Sequence, residues 1–332
     1  MVFTLAFYSL RVNTNGFGFV LVLFGALNLA WFAPNSALWL KNIFSFSISN
    51  FIIAMIFLMQ GWKLKPNRLF EVFADGFSLW VIQLIILAGP ISFVLGGWAL
   101  GLLDAQLLEP LLFLSCLPTT ISSCVVFTRA AGGDGDYALG HATLSNLIAP
   151  FFVPVAWFFL IRPNGTDGIA VGNALLQVIP DLLLLVALPC WLGWALRRKF
   201  SQKSYFILVW IARNVPLGGI AILAYLSLGL VVLELGVDKC IVEIKFLLLP
   251  VSILFISVAI LSWFLSGWIR RDRGGRMATF FCLSQKSLAM GIPLVHLLVG
   301  IDEPLLYVWL FPIIIFHFIQ LLTGAFLIRI FR

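Results

Sequence analysis

The sequence predicts an all-α integral membrane protein that crosses the bilayer ten times. Three observations carry this: an apolar composition, ten apolar runs of spanning length, and basic residues gathered on alternate loops. Of the 332 residues, 62% are hydrophobic and 11% charged. Soluble domains run near about 45–50% apolar and about 25% charged. So much apolar surface cannot be hidden inside one water-soluble core, and the bilayer is the solvent that accepts it. The 32 Phe and 12 Trp suit lipid-facing surfaces and interfacial belts.

The runs lie near 16–33, 44–62, 76–100, 107–129, 138–161, 174–196, 205–233, 245–269, 277–299 and 304–328. Most match the roughly 17–25 residues that a helix needs to cross the hydrocarbon. The first run is long enough to span rather than to serve as a cleaved signal.

With ten spans, the loops after even-numbered helices share one side with both termini. That side collects fifteen basic residues, from Arg11 and Lys63 through Arg197 and Arg270 to Arg332. The other holds only Lys41, Arg162, Lys239 and Lys245. The positive-inside rule makes the first side cytoplasmic, and a missed helix would scramble the segregation. The net charge of +7 therefore reflects topology, and no basic domain exists to bind nucleic acid. The sequon Asn164-Gly165-Thr166 falls on the opposite face, which fits the plasma membrane or a secretory-pathway membrane. The loops leave no room for an ATP site. The five cysteines, Cys116, Cys124, Cys190, Cys240 and Cys282, show no metal-binding spacing and read as small buried hydrophobes. Without a catalytic serine/histidine motif or metal cluster, an enzyme is not expected.

Two runs differ from ordinary spans. In the fourth, Pro118 sits among Ser115, Thr119, Thr120, Ser122 and Ser123. In the ninth, Ser284, Gln285, Lys286 and Ser287 occupy mid-span, followed by Gly291 and Pro293. A proline removes a backbone donor, and unwound backbone in hydrocarbon must be satisfied by a cavity, ion or solute. Interrupted helices at matching places of two halves point to a transporter's binding site. The layout therefore divides the chain into two five-helix repeats, 1–165 and 166–332, the second inverted. Lys286 stands out, because a mid-bilayer charge costs about 2.5–3.5 kcal/mol on insertion scales and both ends of its run are too far for snorkelling. Gln83, Ser145 and Asn146 read equally as interhelical hydrogen-bonders or as site residues. Asp181 after Pro180 reads as a first-turn acid, Arg213 as a snorkelling cation, and His141, His296 and His317 as packed histidines.

The run 117–123 with Phe127-Thr128-Arg129, Gly132-Gly133 and Leu144-Ser145-Asn146-Leu147 resembles the bile acid:sodium symporter superfamily. The branch called sodium/bile acid cotransporter 7 is the most similar, through Ser284-Gln285-Lys286-Ser287-Leu288 and Gly291-Ile292-Pro293-Leu294. The resemblance implies a panel and a core domain, with helices 4 and 9 crossing where they break and the core moving for alternating access. It also implies sodium behind the crossing, at positions matching Gln83, Ser123, Cys124 and Gln285. The carboxylate expected before Gln285 is replaced within Phe280–Leu283, and Ala138 and Ala142 stand where hydroxyls are expected. A thiol at Cys124 is a poor partner for a hard cation. No cofactor is expected, and sodium coupling is opposed by the residues that should supply it.

The function expected is secondary transport of a small organic solute, an organic anion by preference. Substrate or ion would meet Gln83, Thr119, Thr120, Ser122, Ser123, Ser145, Asn146, Ser284, Gln285, Lys286 and Ser287, with Lys286 as a built-in cation in place of sodium. The partners are the lipid bilayer and that solute. The branch resemblance leaves a second reading, a non-transporting regulator of calcium or secretory-pathway homeostasis.

Overall fold

Ala33 ends the first apolar run. It precedes Pro34, and a residue before proline is pushed out of the helical region. Helix α1 (Leu21–Phe32) therefore meets α2 (Pro34–Phe44) at a bend of 98°. The break falls at the end of the expected first run, 16–33, and α2 occupies the loop expected after it. The computed structural model describes residues 21–44, 47–63, 76–161, 180, 183–197, 205–299 and 306–331. The sequon at Asn164 and Asp181 lie outside the described residues, as does the side chain of Arg213.

The remaining elements are α3 (Ser47–Lys63), α4 (Phe77–Ala99), α5 (Ala105–Cys116), α6 (Ser122–Ala130) and α7 (Gly135–Ala156). They are followed by α8 (Leu183–Arg197), α9 (Tyr205–Leu235), α10 (Val237–Ile269), α11 (Arg273–Ser284), α12 (Leu288–Leu298) and α13 (Leu306–Phe331). A π-helical turn follows α7 at Trp157–Ile161 and another opens α8 at Leu183–Ala187. Among the described residues there is no β-strand. Among the described residues, six helical segments are long and apolar enough to cross a membrane, or seven if the bent pair α1–α2 counts as one span. The chain is a multi-pass helical membrane protein.

The helices sort into two packing groups. In one, α3 lies against α8 and α9, and α2 against α9. In the other, α4, α5, α6, α7, α10, α11, α12 and α13 pack on one another. The α3–α8 contact is close because glycines interlock across it. A Cβ on Gly61 would lie 1.8 Å from the Cys190 carbonyl oxygen, and one on Gly193 would lie 1.9 Å from that of Leu58. Small residues let helix backbones approach in this way where no hydrophobic effect drives association. Gly236, with φ of 79°, is the single residue between α9 and α10. The loop expected over 234–244 is therefore helical for most of its length.

Candidate functional site

Helix α5 stops because Leu117 precedes Pro118. Leu117 is extended (φ −67°, ψ 146°), as the residue before a proline prefers. The chain resumes as α6 at Ser122, where the Thr120 hydroxyl accepts from the Cys124 N–H at 3.2 Å. Helix α11 stops at Ser284 without a proline, and Gln285 is extended (φ −109°, ψ 149°). Ser287 then opens α12 as a serine cap, its Oγ accepting from the Met290 N–H at 3.3 Å.

These two breaks touch. The Ser287 N–H donates to the Pro118 carbonyl at 2.7 Å. Ser123 Oγ donates to Gln285 Oε1 at 2.8 Å, and Thr120 Oγ1, 3.2 Å from the same oxygen, gives its one hydrogen either to it or to Ser123 Oγ. Each unwound strand is bonded by an amide from a neighbouring helix. Asn146 on α7 donates from Nδ2 to the carbonyls of Thr119 and Ala142, both at 2.7 Å. Gln320 on α13 accepts the Lys286 N–H at 2.8 Å and donates to the Lys286 carbonyl at 2.9 Å. Buried backbone groups without such partners would each cost about 1–3 kcal/mol.

Lys286 is 2% exposed. Its ammonium donates to three backbone carbonyls: Ile86 at 2.6 Å, Ser115 at 2.6 Å and Leu117 at 2.8 Å. The carbonyls of Ser115 and Leu117 lie at the broken end of α5. That of Ile86 would bond the N–H four residues on, where Pro90 has none. The cation therefore also faces the negative end of the α5 dipole.

Beside the crossing lies a cavity of about 600 Å³. Thr120, Ile121, Ser122, Ser287, Leu288 and Ala289 form one wall, which places the N-terminal ends of α6 and α12 on the same space. Phe57, Gln60, Lys63, Cys190, Trp191 and Trp194 from α3 and α8 form the wall opposite. A further side is made by α7, with Asn146, and by α9.

The sequence-selected residues thus separate. Thr120, Ser122, Asn146 and Ser287 line the cavity. Thr119, Ser123, Gln285 and Lys286 lie behind them in the polar network, and Ser284 is buried at the end of α11. Ser145 bonds the Ala142 carbonyl of its own helix at 3.0 Å. Gln83 bonds His141, reaching both Nδ1 and the backbone oxygen at 3.2 Å. Gln320, His317 and the second wall of the cavity were not anticipated. A glutamine three residues after a histidine in an apolar run was the available signal for Gln320, whose Nε2 lies 2.8 Å from His317 Nδ1.

The residues behind the crossing do not fit a sodium ion. Gln285 Oε1 already accepts from Ser123 and lies 3.2 Å from the Thr120 hydroxyl. Cys124 Sγ faces Cys282 Sγ at 3.4 Å, and Ala138 and Ala142 bring only methyl groups. Phe280 and Phe281 fill the positions before Cys282 and are buried. No acidic residue occurs in α6, α11 or α12. The buried side-chain oxygens without a partner, those of Gln83, Ser115, Thr119, Thr128 and Thr279, are all neutral, and none supplies the negative charge that would offset a bound cation's.

Two broken helices that cross beside a polar-floored cavity define a class of membrane carrier fold. A family model confirms the class: the chain belongs to the SBF-like CPA transporter family, matched over residues 18–332. That is a transporter family within the bile acid:sodium symporter group, and not one of enzymes. YfeH of Escherichia coli (strain K12), whose name proposes a symporter, is 27% identical over 321 residues, 94% of this chain and 91% of that one. Sodium/bile acid cotransporter 7 of Mus musculus is 24% identical over 299 residues, 85% of this chain and 82% of its own length. The Danio rerio protein of the same name is 23% identical over 294 residues, covering 85% and 83%.

Proposed function

We propose that the chain is a ten-helix secondary transporter of a small organic anion. In this reading α1–α2 make the first span, α5–α6 the fourth and α11–α12 the ninth. The chain then divides into inverted repeats 1–165 and 166–332. The helices α4–α7 and α10–α13 form the core, and the group holding α3, α8 and α9 forms the panel. The observation that carries the reading is the bonded crossing at the wall of the cavity. Both half-helices α6 and α12 present their positive N-terminal ends to that space, with Lys63 at its edge. Phe57, Trp191 and Trp194 supply apolar wall for an organic body. A cavity of mostly apolar lining with a few convergent polar groups is the usual form of a small-solute site.

The basic asymmetry places Lys63 and Arg197, the ends of α3 and α8, on the cytoplasmic side. The cavity lies by those ends, so this is the inward-open arrangement, with both termini cytoplasmic. Sodium is not part of the mechanism: Gln83, Ser123 and Gln285 serve to hold the crossing together. Thr120, Ser122, Asn146 and Ser287 meet the solute, and the network behind them keeps the unwound strands in place as the core moves.

Cys190 lines the cavity, whereas Cys116, Cys124, Cys240 and Cys282 are buried. A charged, membrane-impermeant thiol reagent is expected to label Cys190 in inside-out vesicles, and transported anions are expected to slow that labelling. Hits are then followed by counterflow in proteoliposomes. If no member of a broad organic-anion panel protects Cys190 or exchanges across the membrane, the carrier reading fails.

A further inference from the structure

The polar network contains a complete cation site whose cation belongs to the chain. Three carbonyl oxygens converge on Lys286 Nζ at 2.6, 2.6 and 2.8 Å. An ammonium has three N–H donors and a neutral amine two, so three acceptors match the charged form. None of the three carbonyls has an ordinary helical partner, because Pro90 removes one donor and the break after Cys116 removes the others. The chain thus exposes three oxygens in a dry interior, a cost of several kcal/mol per group in hydrocarbon when unmet. It meets that need with its own side chain. The positions that the resemblance assigns to an outside ion meanwhile hold Cys124 against Cys282, with Ala138 and Ala142, beside the neutral Gln83, Ser123 and Gln285.

We propose that Lys286 is a tethered cation that replaces the dissociable sodium ion in holding the crossing. The ammonium bridges α11–α12, through its backbone, to the end of α5 and to α4 at the turn before Pro90. The bridge is permanent, since the cation cannot leave with the solute. Taken with the carrier reading, on which this consequence rests, the crossing needs no external cation to be assembled and uptake is not driven by a sodium gradient.

Thermal unfolding of the purified full chain in detergent tests the tether without requiring any solute. The wild-type midpoint is expected to be the same in sodium chloride and in choline chloride at equal ionic strength. Lys286→Ala should melt lower in both salts, by about 5 °C or more. Propylammonium, the part of the lysine side chain that alanine lacks, should raise the variant's midpoint saturably and leave the wild type unmoved. Propan-1-ol and tetramethylammonium should not, the first for want of charge and the second for want of N–H donors. Lys286→Met, which keeps length and apolar contact, should melt below wild type and gain nothing from propylammonium. If Lys286→Ala fails to fold, the methionine variant and the wild-type salt comparison decide the matter. A saturable rise of the wild-type midpoint with sodium would overturn the proposal. So would a methionine variant as stable as wild type, or a folded alanine variant indifferent to propylammonium. None of these readouts depends on transport, so a failure of the tether is distinguishable from a failure of the carrier reading.

Discussion

Gln320 does for the unwound strand at Lys286 what a turn of helix would otherwise do, and its removal has a calculable cost. Gln320→Leu replaces the amide by a branched apolar group of similar size. Three bonds go: from the Lys286 N–H at 2.8 Å, to the Lys286 carbonyl at 2.9 Å, and to His317 at 2.8 Å. The Lys286 N–H and carbonyl stay buried, since both Lys286 and Gln320 are at most 2% exposed. Two stranded backbone groups cost about 2–6 kcal/mol, and the new apolar contact offsets about 1 kcal/mol. The net is a loss of about 1–5 kcal/mol, or a midpoint lowered by about 2–10 °C at roughly 2 °C per kcal/mol. The assay is thermal unfolding of detergent-purified protein, followed by intrinsic tryptophan fluorescence. Gln106→Leu, at an exposed glutamine of α5, is the control and should change the midpoint by less than about 1 °C. A Gln320→Leu midpoint within that same margin would refute the claim that the amide holds the strand.

Gly193→Ala should destabilise by about 2–3 kcal/mol, because its Cβ would meet the Leu58 carbonyl oxygen at 1.9 Å; Gly96→Ala, where a Cβ meets nothing within 4 Å, is the matched control in the same melt. Asn146→Asp removes both donations from Nδ2 at 2.7 Å and sets an acceptor beside two carbonyls on the cavity wall. Anion protection of Cys190 is expected to weaken tenfold or more in the folded protein, and undiminished protection would count against a solute at that wall. The Asp272 carboxyl is held below the usual carboxylate range by the Gly275 N–H that it caps and then by Arg270. A depressed value gives stability that is present above the ordinary carboxylate pKa, near about 3.9, and lost as pH falls through the folded value. Asp272→Ala should cost about 1 kcal/mol as a lost cap. The midpoint gap to wild type should be constant above about pH 5 and close in stronger acid; a gap that widens there would refute the assignment.

The existence and approximate place of the helices were legible because apolar runs of bilayer length leave few alternatives. The two interruptions were legible for different reasons. Pro118 announces its break by removing an N–H, whereas the ninth segment shows its break only as four polar residues where lipid or packed core should be. What the sequence could not display is partnership. Lys286 and Gln320 stand 34 positions apart in the chain, on different helices, and no local pattern records their contact. Lys286 was recognisable as out of place, but its ligands are backbone atoms, which carry no residue signature. Their availability has a visible cause, Pro90 for Ile86 and Pro118 for Ser115 and Leu117, but nothing local says that one lysine meets all three. The end of the first run at Ala33 was legible through Pro34, but the helix that resumes beyond it, over Pro34–Phe44, was not. The residues picked for the site were chosen by polarity, and polarity does not distinguish those facing the cavity, such as Ser122 and Asn146, from those holding the scaffold behind it, such as Ser123 and Lys286.

The one-residue connection at Gly236 joins a helix of the first packing group, α9, to a helix of the second, α10. A joint that short has no slack to pay out. The two bodies cannot slide apart or translate past each other at that end by more than a peptide's reach, about 3.8 Å. Whatever relative movement the protein undergoes must be a swing about this point, small near the α9–α10 corner and growing with distance from it. Spin labels flanking Gly236 should accordingly keep a fixed separation in every state, while pairs across the cavity, between α3 and α7, change theirs.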